Sequence, residues 1–578
     1  MKIIITKGGS CIATTMSINM NEIDFPAVSY EQWKEAAIKS LKGKPFESLF
    51  TKTIEGVTLQ PLYTQEMLIE KLGDQLEKQV STIRALQYSN SVQAAQIIYG
   101  DNEQEFFERL KDSVERGNGI ISIDSRVLEW NDNNLTELAT YLVKYPFKLY
   151  VYDKSILDVF DKIPESDRAN VKGYIVSNEP VELQDYPNVR TNGANTVPYH
   201  NEGAHVVQEL ALTLALAAKY AEKSESFESF ANKFFVNFAI DTHFFQEISK
   251  LRAFKVLWKA FAKAYDAKAV PVPVLAETSL RSFSKYDIYV NLLRAGNEAF
   301  SALIGGADAI TVYPYDVLTK PTDQSIRIAR NVVLVLKEES FVDDVLDPAG
   351  GSYFIETLTR EYVEKAWELF LQIQEAGGID EYENSGKLKA ALEEVYNERI
   401  KQVETRKHSL IGTNIYANPA DELQTETNPL YADIKRLSIP FEKLREQYGQ
   451  AKPKVSILTY GKLKEFKPRA DFVKGFFATA GIVPEQSGEI ESIEEAKNWL
   501  AQTDADYVVI AATNEQTKEI VPALLEAKKE NVILDVAGKY PEEEAEWLSK
   551  GVNGFIYLGQ NIVEKLTGLL ESLKEVQR

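Results

Sequence analysis

Imidazole chemistry in this chain can come from four positions only: His200, His205, His243 and His408. His200 stands in the run Tyr199-His200-Asn201-Glu202-Gly203-Ala204. A neutral imidazole N–H there could polarise a carbonyl oxygen. The competing reading is a histidine packed or exposed in a loop, and it is preferred, because catalysis needs partners that the sequence does not display. His205 and His243 begin or precede helical patterns and read as capping or surface residues. Residues 451–578 contain no histidine, cysteine or methionine. Neither an imidazole nor a sulfur ligand for a transition metal can therefore come from that stretch. Asp347-Pro348-Ala349-Gly350-Gly351-Ser352 offers glycines for positive φ and reads as a tight turn, since no P-loop lysine and serine follow.

The elements that must position these groups alternate in type. Strand patterns fall at 119–124, 148–153, 171–177, 234–240, 272–277 and 309–313. Amphipathic helical patterns fall between most of them, at 103–116, 135–145, 206–222, 243–265, 287–303 and 324–337. Strand–helix alternation over residues 80–395 favours a parallel sheet, and its length suits an eight-unit TIM barrel, although fewer than eight strands are evident. Phe244, Ile248, Leu251 and Trp258 recur at helical spacing and need only a core to explain them. Residues 396–450 are polar, carry Pro419, Pro429 and Pro440, and read as a linker draped over the domains. Residues 451–578 return to alternation, with strands at 454–459, 506–511, 531–536 and 554–558, and read as a flavodoxin-like doubly wound α/β domain. Ahead of the barrel, Ser29 can cap a helix through Trp33, Ala36, Ala37 and Leu41, with Gly43 as its stop. That lead-in, residues 25–79, is too short to fold alone and must pack on its own barrel or on a partner. Residues 1–24 read as a disordered arm or an over-extended start of translation.

Composition narrows the function classes. A chain of 578 residues needs more than one core. Its net charge of −21 opposes general binding to a phosphate backbone. No apolar run approaches a bilayer span. The short run Ile3–Ile5 between Lys2 and Lys7 is not extended as a secretory signal would be. A single cysteine, Cys11, precludes an intrachain disulfide framework, and a reducing cytoplasm fits best.

Several stretches together resemble the methylmalonyl-CoA mutase family. They are Leu41–Leu49 (LKGKPFESL), Pro61–Thr64 (PLYT), Tyr199–Ala204, and Phe244–Ile248 with Leu251-Arg252-Ala253 and Trp258. Pro321-Thr322-Asp323 with Arg327–Asn331 (RIARN), and Asp347–Ser352, complete the set. The resemblance runs from about Phe25 to the end and is strongest over 190–360. It implies a TIM barrel followed by a cobalamin-binding domain. It also places His200 where the family's catalytic subunits carry an active-site histidine. Thr82–Tyr88 (TIRALQY) resembles a substrate-contacting run, but two extra residues precede Gln87. No substrate role is carried onto Tyr88, which is expected to be a buried aromatic.

Cobalamin domains of the family present an aspartate-x-histidine-x-x-glycine loop after their first strand. Here the corresponding residues 459–468 read TYGKLKEFKP. Lys539 and Tyr540 would crowd the slot for the nucleotide tail. The resemblance is therefore to the small subunit of a two-chain mutase. It implies no catalytic residue here despite the match of His200, no cofactor-binding residue and no metal ligand. Adenosylcobalamin would sit in a homologous large subunit, which would form a heterodimer with this chain and bind most of the acyl-CoA. Nucleic acid and membrane are excluded as partners. Two other readings stay open: a competent mutase for a related acyl-CoA with His200 active, and an independent acyl-CoA-binding barrel.

Overall fold

A computed structural model describes residues 28–89 and 91–576. The expected arm at 1–24, and Cys11 with it, lie outside the described residues. The chain divides into two compact units, 1–68 and 69–578. In the first, helix Tyr30–Ser40 opens on the expected cap: Gln32 N donates to Ser29 Oγ at 3.3 Å and Ser29 N donates to Gln32 Oε1 at 3.0 Å. No residue of this helix is buried. A two-stranded antiparallel hairpin follows, β1 (Thr51–Lys52) with β2 (Thr58–Leu59).

The second unit is mixed α/β with parallel sheets, consistent with a TIM barrel followed by a flavodoxin-like domain. Nine strands serve its first part: β3 (Gln93–Ala94), β4 (Ile121–Asp124), β5 (Phe147–Val151), β6 (Gly173–Ser177), β7 (Val189–Arg190), β8 (Asn192–Asn195), β9 (Phe234–Ile240), β10 (Val274–Thr278) and β11 (Ala309–Thr311). They form two sheets, in orders β4-β5-β6-β7 and β3-β11-β10-β9-β8, every pair parallel. The bridge Ile97–Ser122 joins the sheets at one edge. Among the described residues no ladder joins β6 to β8 at the other.

Alternation explains the layering. In β5, Phe147, Leu149 and Val151 enter the core beneath helices Glu103–Glu115 and Asp132–Leu142, and Lys148 and Tyr150 point to the opposite face. Asn102 caps the first of those helices, which buries Phe106, Phe107 and Leu110. Three strands, β3, β7 and β8, were not evident in the sequence, and β7 is only two residues long. The residues of β3 and β8, Gln-Ala and Asn-Gly-Ala-Asn, have little β propensity, and pairing with β11 and β9 imposes the extended form. At Gly193 in β8 an added Cβ would lie 2.5 Å from the Phe235 ring, so the inward layer requires glycine there.

The linker is less loose than its polarity suggests. Helix Lys387–Glu404 runs into it and helix Ile439–Ala451 leaves it, so only the middle is irregular. The last sheet has five parallel strands, β12 (Val455–Thr459), β13 (Glu485–Gln486), β14 (Tyr507–Ala511), β15 (Ile533–Ala537) and β16 (Gly554–Ile556). Their order β13-β12-β14-β15-β16 is that of flavodoxin-like open sheets. Apolar clusters cover both of its faces. Among the described residues no helix is long and apolar enough to cross a membrane.

Candidate functional site

His200 lies in the short helix Val197–Asn201, directly after β8, and is fully buried. Its Nδ1 is 2.8 Å from Glu209 Oε1, on helix Val206–Glu222, and its Nε2 is 2.7 Å from Ser279 Oγ, just past β10. Glu209 also pairs with Lys250 at 3.2 Å, and Lys250 donates to the Ala239 carbonyl at 2.6 Å. Burial, aided by the nearby Arg281 guanidinium, lowers the imidazole to about 4, so it is neutral at pH 7. Burial alone would raise Glu209, but Lys250 and then His200 outweigh it and hold that carboxyl low. The carboxylate fixes the tautomer: Nδ1–H donates to Glu209, and Nε2 accepts from the Ser279 hydroxyl. Both ring nitrogens are thereby committed to the protein, and no N–H is left for a carbonyl. Arg281 locks the surrounding loop, donating to the carbonyls of His200 at 2.9 Å and Ala204 at 3.0 Å and pairing with Asp241.

The interior between the two sheets is also occupied. Lys148 Nζ lies 2.8 Å from Asn237 Oδ1 and 3.0 Å from Glu277 Oε1. Tyr150 and Tyr313 donate their hydroxyls to Glu277 at 2.8 and 2.7 Å, and Asn237 Nδ2 donates to it at 2.6 Å. Burial alone would raise Glu277, but Lys148 and these bonds keep it below its ordinary value. One layer toward the strands' starts, Phe235 and Tyr174 fill the space with ring centroids 5.2 Å apart. One layer toward their ends, Tyr431 from the linker packs edge-on to Tyr313 at 5.5 Å. Asn428 fastens that segment, with its N 2.9 Å from Leu318 O and its Nδ2 3.1 Å from Val317 O, and Arg126 reaches Leu430 O at 3.3 Å. The linker thus caps the strand ends at Asn428–Tyr431.

In the last domain the loop expected over 459–468 is short: helix Leu463–Ala478 starts four residues after β12, so Lys464 to Pro468 are helical. Beyond the neighbouring strands, Tyr540 is 3% exposed and its ring abuts Gly538. Arg469 bridges Tyr540 Oη, the Ala512 carbonyl and Asn514. Residues 451–578 offer no imidazole or sulfur donor, and these side chains fill the crevice at the strand ends. The donor set and the space do not fit a cobalamin with a protein ligand beneath its cobalt.

The remaining sequence candidates fall to structure. His205 caps helix Val206–Glu222, accepting from Gln208 N at 3.3 Å. His243 precedes helix Phe244–Ala264 at the surface, its ring 5.2 Å from that of His408. The turn 347–352 is structural: Arg252, fully buried, pairs with both Asp347 and Glu356, and Gly351 N donates to Glu356 at 2.9 Å. Tyr88 is a correction, for it is 44% exposed and lies against Arg190 at 5.4 Å instead of being buried. The extra residues before Gln87 serve the turn after helix Gln75–Ala85, where Gln87 Nε2 bonds Ser89 O at 3.0 Å. Sequence reasoning missed Glu209, Ser279 and Lys250 around His200, and Lys148 and Glu277 in the interior. A signal existed for the last pair: a lysine and a glutamate inside otherwise apolar strand patterns.

A family profile described as methylmalonyl-CoA mutase matches residues 181–454. The methylmalonyl-CoA mutase small subunit of Porphyromonas gingivalis is 29% identical over 94% of this chain and 97% of its own length. The chain is thus similar to methylmalonyl-CoA mutases over residues 181–454 and to small subunits of that name over most of its length. The small subunit of Propionibacterium freudenreichii subsp. shermanii is 27% identical over 95% of this chain and 96% of its own length. A protein of Rhizobium meliloti named methylmalonyl-CoA mutase is 35% identical, over 43% of this chain and 37% of its own length. The family match spans His200, Ser279 and Glu277, so the closed site lies within the part of the chain that carries the family pattern.

Proposed function

We propose that this chain is the small subunit of a two-chain, adenosylcobalamin-dependent methylmalonyl-CoA mutase, stabilising a homologous large subunit that holds the cofactor and most of the acyl-CoA. The carrying observation is that the would-be reaction space is filled by the chain's own side chains: Glu277 is saturated by Lys148, Asn237, Tyr150 and Tyr313 on the axis. His200, the one residue matching a catalytic position, spends both ring nitrogens on Glu209 and Ser279. The filled crevice of the last domain supports the same reading of the cofactor.

In this reading the two parallel sheets close into one eight-unit barrel spanning 80–395, with residues 451–578 as a cobalamin-type domain that has lost its ligand loop. A cytoplasmic setting accompanies it. The lead-in 25–79 contacts the large subunit. Trp33 is only partly buried and Ile38 is 44% exposed on a helix that buries nothing within this chain. Related chains pairing about a pseudo-twofold axis would cover such a face.

Co-expression with a large homologue carrying the histidine loop tests the proposal. The expected outcome is a one-to-one complex that interconverts methylmalonyl-CoA and succinyl-CoA, with this chain alone inactive. Turnover by this chain alone, or no complex at micromolar concentration, defeats it.

A further inference from the structure

A second concave site lies on the outside of the barrel region, away from His200. Helix Glu103–Glu115 and the residue after it present Arg109, Asp112 and Arg116 at spacings of three and four. Helix Asp323–Ser340 presents Asp323, Arg327 and Arg330 at four and three. With Gln96–Tyr99 they line a cavity of about 500 Å³.

Charge in this cavity runs against the chain as a whole. Four arginines, Arg109, Arg116, Arg327 and Arg330, face three acids, Glu108, Asp112 and Asp323, on a protein of net charge −21. Two of the cations are satisfied: Arg109 pairs with Asp323 and Arg116 with Asp112. Of the other two, one has no carboxylate and one has only a distant, shared one. Arg327 is exposed and has no ion-pair partner among the described residues. The Arg330 side chain is only 3% exposed, yet its nearest carboxylate oxygen, on Asp112, is 3.6 Å away. Its one hydrogen bond is a long one, 3.4 Å to Gln96 Oε1, an oxygen that already accepts from Ser113 at 2.8 Å. Its Nε has no partner. A buried guanidinium with unspent donors is costly unless an anion completes it.

The geometry points to a binding site for a phosphoryl group in this cavity. Arg327 and Arg330 lie one helical turn apart and offer two planar donor forks beside Arg116. Two forks would use all four lone-pair sites of a carboxylate, and with Arg116 beside them the set better suits the three terminal oxygens of a phosphoryl group. The volume exceeds that of phosphate alone, so the group can arrive free or as part of a nucleotide. The site is independent of the subunit reading, because it uses none of the residues around His200 or Glu277.

Calorimetric titration of the full-length chain with inorganic phosphate, ADP and acetate, at matched ionic strength in chloride, tests it. One equivalent of phosphate or ADP should bind, with acetate at least tenfold weaker. ADP at least tenfold tighter than phosphate assigns the nucleotide as the source, and equal affinities assign the free ion. Arg327→Gln, at an exposed position that leaves folding intact, should weaken binding at least fivefold, and Arg330→Met should abolish it. No heat above the chloride control, acetate equal to phosphate, or an unchanged affinity in Arg327→Gln overturns the assignment.

Discussion

Replacing His200 by alanine separates a structural histidine from a catalytic one. The substitution removes a charge-assisted bond to Glu209 at 2.8 Å and a second bond to Ser279 at 2.7 Å, in a site with no solvent to replace them. The first is worth about 2 kcal/mol and the second about 1 kcal/mol. The vacated imidazole adds a cavity term of about 1–2 kcal/mol. His200→Ala should therefore destabilise the chain by about 4–5 kcal/mol, read as a lower urea midpoint at unchanged slope. Turnover of the reconstituted two-chain enzyme, per assembled pair, should stay within about twofold of the unaltered complex. An electrophile acting on the reacting carbonyl contributes on the order of 100-fold or more. A variant of normal stability whose complex loses that factor would refute the assignment of His200 to structure.

Other outcomes follow from the same contacts. Lys148→Met strands the buried Glu277 carboxylate and should cost about 3–5 kcal/mol, whereas the double variant with Glu277→Gln should recover most of it in the same denaturation assay. His200 is held near 4, so its own contribution is complete above the unfolded value and is lost as pH falls from about 6.5 to 4, at most about 3 kcal/mol, and the difference in unfolding midpoint between the native chain and His200→Gln should shrink over that range. His408, also lowered to about 4 by burial and by its neighbour His243, acts in the same direction. Asp308, raised to about 6 by burial, and Glu247, raised to about 7 by burial, oppose them by gaining stability as pH falls toward their unfolded values. A difference between the native chain and His200→Gln that stays constant from pH 6.5 to 4.5 contradicts this assignment. Ile38→Asp, on the exposed lead-in helix, should leave the chain's own melting unchanged and weaken its complex with the large subunit at least tenfold by sedimentation.

Much of the architecture was legible because strand and helix periods differ. The alternation in Phe147–Val151, and the continuous apolar run in Phe234–Ile240, mark buried parallel strands before any coordinates exist. Gln93–Ala94, Val189–Arg190, Asn192–Asn195 and Glu485–Gln486 escaped notice, being short and extended through partners that a local reading cannot see. The site followed the same rule. The lack of an imidazole or sulfur donor in residues 451–578 was visible from composition alone. The partners of His200 were not, because Glu209 and Ser279 stand nine and seventy-nine residues away in sequence. Tyr88 was misjudged because the arginine its ring lies against, Arg190, is remote in sequence and a local reading cannot see it.

The central claim is that the corrin belongs to the other chain. Adenosylcobalamin titrated into the purified chain, followed by its visible absorbance after removal of free ligand, should leave less than one-tenth of an equivalent bound. The co-purified pair should retain one equivalent, with every protein contact to cobalt supplied by the large subunit. A full equivalent retained by this chain on its own would contradict the account.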